Sequence, residues 1–271
     1  MTAPITPPRL RAGIISAGRV GTALGEALVA AGHRVIAVHA RSTASRERAA
    51  RRLPGAAVTD IPALAAQSEL ILIAVPDTEL PAVVAQLAPH IRPGRLVAHT
   101  AGAHGVGILA PLAQAGALTL AIHPAMTFVG GADDTARLAG TCFGITSADE
   151  IGDAIAAALV LELGGTPVRI AEDQRTLYHA ALAHGANNLI ALIADAVTAL
   201  RTAIDRSDVD GAGATPDGET AGGGLASELL ARCRALSDDI VVVLEMRDWY
   251  AFINSMYNQA VKMFAYTDDF G

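Results

Sequence analysis

Residues 12–32, AGIISAGRVGTALGEALVAAG, decide how the rest of the chain is read. Ala12 to Ser16 is a short apolar run of strand type, and Ser16-Ala-Gly18-Arg19-Val20-Gly21 is a small-residue turn. Val20, Leu24, Leu28 and Ala31 then recur at helical spacing until Gly32 stops the pattern. In such a strand-turn-helix the glycines have separate tasks. Gly18 lets the backbone approach a pyrophosphate, and Gly21 lets the helix lie close to the sheet. The helix N-terminus offers unpaired N–H groups and a positive dipole end to phosphate oxygens. The first glycine expected of a GxGxxG turn is Ser16 here, so a serine must take up the tight turn. Ser16, Gly18, Arg19, Val20 and Gly21 are therefore the expected dinucleotide-binding residues.

Further strand-type runs occur at Arg34–His39, Glu69–Val75, Arg95–His99, Leu118–Ile122, Cys142–Thr146 and Pro167–Ile170, with helical patterns filling most gaps. Apolar strands alternating with helix-length segments predict an α/β fold, a doubly wound parallel sheet covered on both faces, over residues 11–171. Residues 172–271 are expected to form a helical carboxyl-terminal domain for substrate binding or dimerisation. It opens with an alanine- and leucine-rich helix from Asp173 to about Ile204, apolar nearly all round and therefore buried, with a homodimer contact as one way to bury it. Residues 205–224 are rich in glycine and acids and read as a flexible segment. Beyond them the composition changes: seven of the ten aromatics lie between Trp249 and Phe270, and Lys262 is the only lysine, a tail of either native or foreign origin.

The end of the second strand selects the cofactor. An NAD site places an acid there to accept from the ribose hydroxyls, yet no acid occurs between Glu26 and Glu47, and the strand ends His39-Ala40-Arg41-Ser42. Arg41 can pair with a ribose phosphate and Ser42 can donate to it, so NADP is expected, with Arg46 and Arg48 as lesser contributors. Val75, Pro76, Asp77 and Thr100 are placed beyond the next strand ends and are expected to flank the nicotinamide; Asp77 could equally cap a helix. His123 is a catalytic candidate or a structural histidine.

Composition agrees with a globular protein. Of 271 residues 52% are hydrophobic and 17% charged, and the net charge is −7. Residues 1–52 hold nine arginines against Glu26 and Glu47, a local excess that could attract phosphate, whereas the acidic whole argues against nucleic acid. No apolar run approaches a membrane span, and the proline-rich opening lacks the core of a secretory signal, so a cytoplasmic protein is expected. Cys142 and Cys233 form no CxxC pair. His99/His104 and His179/His184 are five apart rather than four, so no metal site is expected.

The stretches SAGRVGTALGEAL, AVPDTELPAVV, VAHTAGAHG, AIHPAMTF and LYHAALAHGANNLIALIADA together resemble the Rossmann-like proteins joined to domain-of-unknown-function family 2520, over roughly residues 11–204. These are similar in architecture to ketopantoate reductases, pyrroline-5-carboxylate reductases and 6-phosphogluconate-type dehydrogenases. The resemblance implies NADP-linked oxidoreduction on a small-molecule substrate. In reductases of that architecture a helix at this place donates a lysine and an asparagine to substrate; Asn187 matches the asparagine, and His179 stands where the lysine would be. His184 shares a helix face with Asn187 and Asn188, so the proton donor is either His184 or His179. The expected activity is hydride transfer to a small carbonyl or imine, a 2-oxo acid being the favoured example. The missing lysine supports an alternative, a non-catalytic dinucleotide-binding sensor.

Overall fold

A computed structural model describes residues 9–189. Eight strands form one sheet in the order β3-β2-β1-β4-β5-β6-β7-β8. They are β1 (Arg11–Ile15), β2 (Arg34–His39), β3 (Ala57–Val58), β4 (Leu70–Ile73), β5 (Leu96–His99), β6 (Leu118–Pro124), β7 (Cys142–Ser147) and β8 (Thr166–Arg169). The helices between them are α1 (Arg19–Ala30), α2 (Thr43–Arg52), α3 (Ile61–Gln67), α4 (Leu80–Leu87), α5 (Ala110–Gln114), α6 (Asp133–Ala136) and α7 (Glu150–Glu162). Residues 175–189 are helical as well. The chain divides into two compact units, Met1–Ala180 and Ala181–Gly271. The expected features at 205–224 and in the aromatic tail, and the helix pattern from 190 to 204, lie outside the described residues.

The central strand β4, Leu-Ile-Leu-Ile, is apolar and buried throughout because both faces of the sheet are covered there. Along β1 and β4, Ile14, Leu70 and Leu72 join one core, which includes Leu24 and Leu28 of α1 and Leu159 and Val160 of α7. Their neighbours Ile15, Ile71 and Ile73 point into a second core with Leu64 of α3, Val84 of α4 and Leu112 of α5. The period-two alternation of strand side chains divides adjacent residues between the two layers. The chain order reverses between β1 and β4, which creates a crevice beyond the carboxyl ends of those strands.

Two expectations need correction. The sheet is not parallel throughout, since β7 runs antiparallel to β6. The connection between them contains only the four-residue α6, so it never carries the chain back across the sheet as a parallel crossover would. The second is an omission: β3 is two residues long, too short for any periodicity to announce it. Among the described residues no helix is long and apolar enough to cross a membrane.

Candidate functional site

The crevice is built from the loops that leave β1, β2, β4, β5 and β6. Ser16 has φ +82 and is the sole non-glycine residue at positive φ among the described residues. This left-handed conformation turns the chain from strand to helix, and the Ser16 N–H still donates to the His39 carbonyl oxygen at 2.9 Å. Gly18 then opens α1 without a side-chain cap, so the first N–H groups of the helix are not consumed by a capping side chain. Gly21 must be glycine for packing reasons, because a Cβ there would come within 2.1 Å of the Ser16 carbonyl oxygen. Arg48 Nη1 donates to the Ala17 carbonyl oxygen at 3.0 Å and fixes the turn from α2. Arg19 is exposed and reaches the Phe128 carbonyl oxygen at 3.4 Å, bridging the turn to the loop after β6.

A cavity of about 510 Å³ opens at the end of β2, lined by His39, Ala40, Arg41, Arg46, Val58, Thr59 and Asp60. Its acid is occupied: Asp60 caps α3 by accepting from the Ala63 N–H at 2.8 Å. Arg46 Nε donates to the Ala40 carbonyl oxygen, which holds the head of that side chain over the strand end. Arg41 is 73% exposed and pairs with Glu79 at 2.5 Å. Ser42 is the N-cap of α2, accepting from the Ser45 N–H. Val75 and Pro76 follow β4, and Thr100 is buried and donates its N–H to the Ile73 carbonyl oxygen. Asp77 opens a 3-10 turn, and no capping hydrogen bond from its side chain forms there or at α4.

The polar group beyond β5 and β6 is denser. His99 is fully buried; its Nδ1 accepts from the Ala101 N–H at 3.1 Å, so Nε2 carries the proton and donates to the Gly105 carbonyl oxygen at 2.8 Å. Burial pushes this imidazole down to about 4. His99 thus pins the loop after β5 in the neutral form. The same loop is held by Glu172, whose carboxylate accepts from the N–H groups of Val106 and Gly107.

His123 lies against Tyr178 and His179. Its Nδ1 is 2.9 Å from the Tyr178 hydroxyl, and both rings meet it edge to face. Burial first, then the charges of His179, Arg175 and His99, push His123 down to about 3, so this ring is neutral. Gly102 forms the floor: a Cβ there would come within 2.2 Å of His179 Nδ1 and 3.0 Å of His123 Nε2. Arg175 completes the group. It is 1% exposed, its Nε donates to Thr146 Oγ1 at 2.7 Å, and its Cζ stands 5.7 Å from the centre of the Tyr178 ring, within cation–π reach.

Of the four expected catalytic residues, the fold brings His123 and His179 together in the first unit. In the second, His184 and Asn187 are exposed, and Asn188 Nδ2 lies 2.9 Å from the His184 carbonyl oxygen and 3.0 Å from that ring's Nδ1. Sequence reasoning missed Arg175 and Tyr178. The available signal was their spacing with His179: positions 175, 178 and 179 share one helix face.

Strand order and crevice together define a Rossmann-type protein, the first six strands following the order 3-2-1-4-5-6. Residues 1–124 match the family model of the Rossmann-like domain, and residues 141–235 match that of domain of unknown function DUF2520. The chain is a Rossmann-like protein joined to DUF2520, and the second match already includes β7, α7 and β8. Comparison with curated proteins found no match. Among solved structures the chain is similar to a candidate NADP oxidoreductase from Bacteroides fragilis, at 18% identity, covering 93% of this chain and 98% of that one, with a TM-score of 0.60. It is similar to arogenate dehydrogenase from Synechocystis at 18% identity, 92% and 84% coverage and a TM-score of 0.55. A reductive aminase from Aspergillus terreus, in complex with NADPH and ethyl levulinate, aligns at 19% identity, 87% and 76% coverage and a TM-score of 0.53. At such identities the likeness is one of fold.

Proposed function

We propose that the chain is an NADP-dependent oxidoreductase that reduces a small carbonyl or imine compound, a 2-oxo acid being the favoured example. The observation that carries this reading is the turn at Ser16, a left-handed serine that leaves the start of α1 uncapped. An uncapped helix start at a topological switch point is a seat for a diphosphate. Ser16, Gly18, Arg19, Val20 and Gly21 would hold that diphosphate. Arg41, Ser42 and Arg46 around the cavity after β2 would take the ribose phosphate. Arg41 would exchange Glu79 for it, an inexpensive step because an exposed ion pair is worth only about 0–1 kcal/mol. Val75, Pro76, Asp77 and Thr100 would border the nicotinamide.

When bound, the reduced nicotinamide supplies a hydride. The chain must supply a proton for the substrate's oxygen or nitrogen, and Tyr178, His123 and His179 are the groups suited to it. With Nδ1 of neutral His123 accepting from the phenol, Nε2 carries the proton on the side of Gly102 and His179. His123 and Tyr178 can then hold or pass a proton without forming a buried imidazolium. A dimer through the carboxyl-terminal helices belongs to the same proposal; Leu177, 67% exposed, is an apolar side chain such a contact would cover.

Fluorescence titration with NADPH and NADH, followed by a panel of 2-oxo acids, ketones and imines read by NADPH absorbance, tests the reading. Preferred binding of NADPH together with turnover of one panel member is expected. Equal affinity for the two cofactors defeats the NADP assignment. Tight binding without any turnover defeats reduction and favours the non-catalytic sensor.

A further inference from the structure

Two buried side-chain polar atoms have no hydrogen-bond partner among the described residues: Arg175 Nη1 and His179 Nδ1. They are four residues apart in a helical stretch, so they lie one above the other on a single face. Arg175 otherwise donates only to neutral acceptors, from Nε to Thr146 Oγ1 and from Nη2 to the carbonyl oxygens of Gly144 at 3.0 Å and Ala121 at 3.2 Å. Guanidinium groups keep their charge even when buried, and a buried charge calls for an opposite one. Glu172 contributes to the field at Arg175 but, among the described residues, forms no hydrogen bond or ion pair with it; its carboxylate accepts from the N–H groups of Val106 and Gly107. A buried guanidinium with no anion bonded to it and an open imidazole nitrogen therefore stand beside Gly102 and the His123–Tyr178 pair.

We infer that Arg175 and His179 form the seat for a carboxylate of the substrate, one oxygen accepting from Nη1 and the other from the Nδ1–H tautomer of the imidazole. Because Nε and Nη2 are already engaged, the guanidinium offers no two-pronged fork. Both N–H groups of Arg175 Nη1 stay open beside the His179 nitrogen, and a carboxylate brings two acceptor oxygens and a negative charge that can bond to the guanidinium directly. A neutral carbonyl or amide could accept from these donors but would bring no charge to the guanidinium. The inference rests on the proposed reductase reading and narrows its substrates to acids whose reacting carbon lies near the carboxylate, within reach of the Tyr178–His123 pair.

The test is binding, without turnover. Full-length protein is titrated calorimetrically with small 2-oxo acids and with the matching 2-oxo amides, each in the presence and absence of NADP. At least one acid is expected to bind about tenfold or more tightly than its amide, as befits a charge-assisted pair. Arg175→Gln and His179→Asn should each erase most of that preference. If no acid outbinds its amide, or if the preference survives both substitutions, the carboxylate seat is refuted. Should Arg175→Gln fail to fold, the wild-type comparison and His179→Asn still decide between the seat and its absence. Loss of NADP binding with the acid preference intact would strike the reductase reading and spare the seat.

Discussion

Ser16 offers a quantitative test of the turn that carries the cofactor proposal. A side chain at φ +82 crowds its own backbone, which costs about 1–2 kcal/mol relative to glycine. Glycine in turn gives the unfolded chain more freedom, which costs about 0.4–1 kcal/mol. Ser16→Gly should therefore stabilise the sheet by a net ~0.5–1 kcal/mol. Ser16→Ala keeps the Cβ, and among the described residues no hydrogen bond reaches Ser16 Oγ, so its effect should stay within about 0.5 kcal/mol. Ser16→Val places a β-branched residue in the same conformation and should cost about 2 kcal/mol or more. Native-state hydrogen exchange at the β1 amides reads the unfolding of the sheet independently of the carboxyl-terminal unit. Affinity for NADPH should survive Ser16→Gly, because backbone N–H groups rather than the hydroxyl are the proposed ligands. Destabilisation by glycine, or tolerance of valine, would refute the left-handed turn and the phosphate seat built on it.

Replacing Glu79 by Gln releases Arg41 from its ion pair and should tighten NADPH binding about two- to fivefold with little change for NADH, since exposed pairs are worth up to about 1 kcal/mol; fluorescence titration checks it. Gly21→Ala drives a Cβ into the Ser16 carbonyl oxygen and should cost about 1–3 kcal/mol in chemical denaturation while weakening NADPH binding. The buried His99 imposes a pH dependence. Its folded value of about 4 lies below the usual ~6.5, so the unfolded chain takes up the proton first. Stability is complete above pH ~6.5 and falls as the pH drops toward 4, by about 2 kcal/mol at pH 5 from this ring alone. Urea unfolding at pH 7.5 and pH 5 should show that loss, and His99→Gln should reduce it.

Strand β1, the Ser16–Gly21 turn and α1 were legible because each signal is local: an apolar run, small residues at fixed spacing, then helical periodicity. The same holds for β2 and for the arginine in place of an acid at its end. The direction of β7 was not legible, because its apolar run reads the same in either orientation and only the path of residues 125–141 decides it. Arg175 was missed for a related reason. In the stretch Glu172-Asp-Gln-Arg175 it reads as one solvated charge among others, and nothing local reveals that the chain folds it beneath Thr146 and Gly144. His99 resembled His123 in sequence, yet the fold gives one to a loop anchor and brings the other beside two further titratable rings.

The antiparallel β7 is also what creates room for that group. Leu120, Ile122, Phe143 and Ile145 turn to the core under α7, so Ala121, His123, Gly144 and Thr146 turn to the other face. In the antiparallel register Ala121 lies opposite Thr146 and His123 opposite Gly144. The core that α3, α4 and α5 form against β4 and β5 includes no residue of β6 or β7. Residues 175–179 cover that face of β6 and β7 instead, with Arg175 on the Ala121–Thr146 row and Tyr178 on the His123–Gly144 row. A side chain at 144 would close the second row, since a Cβ would come within 2.6 Å of the Tyr178 hydroxyl. A parallel β7 would reverse the order of its inward residues against β6. Gly144 would no longer face His123 with Thr146 facing Ala121, and the phenol and the guanidinium would lose their adjacent places on the sheet.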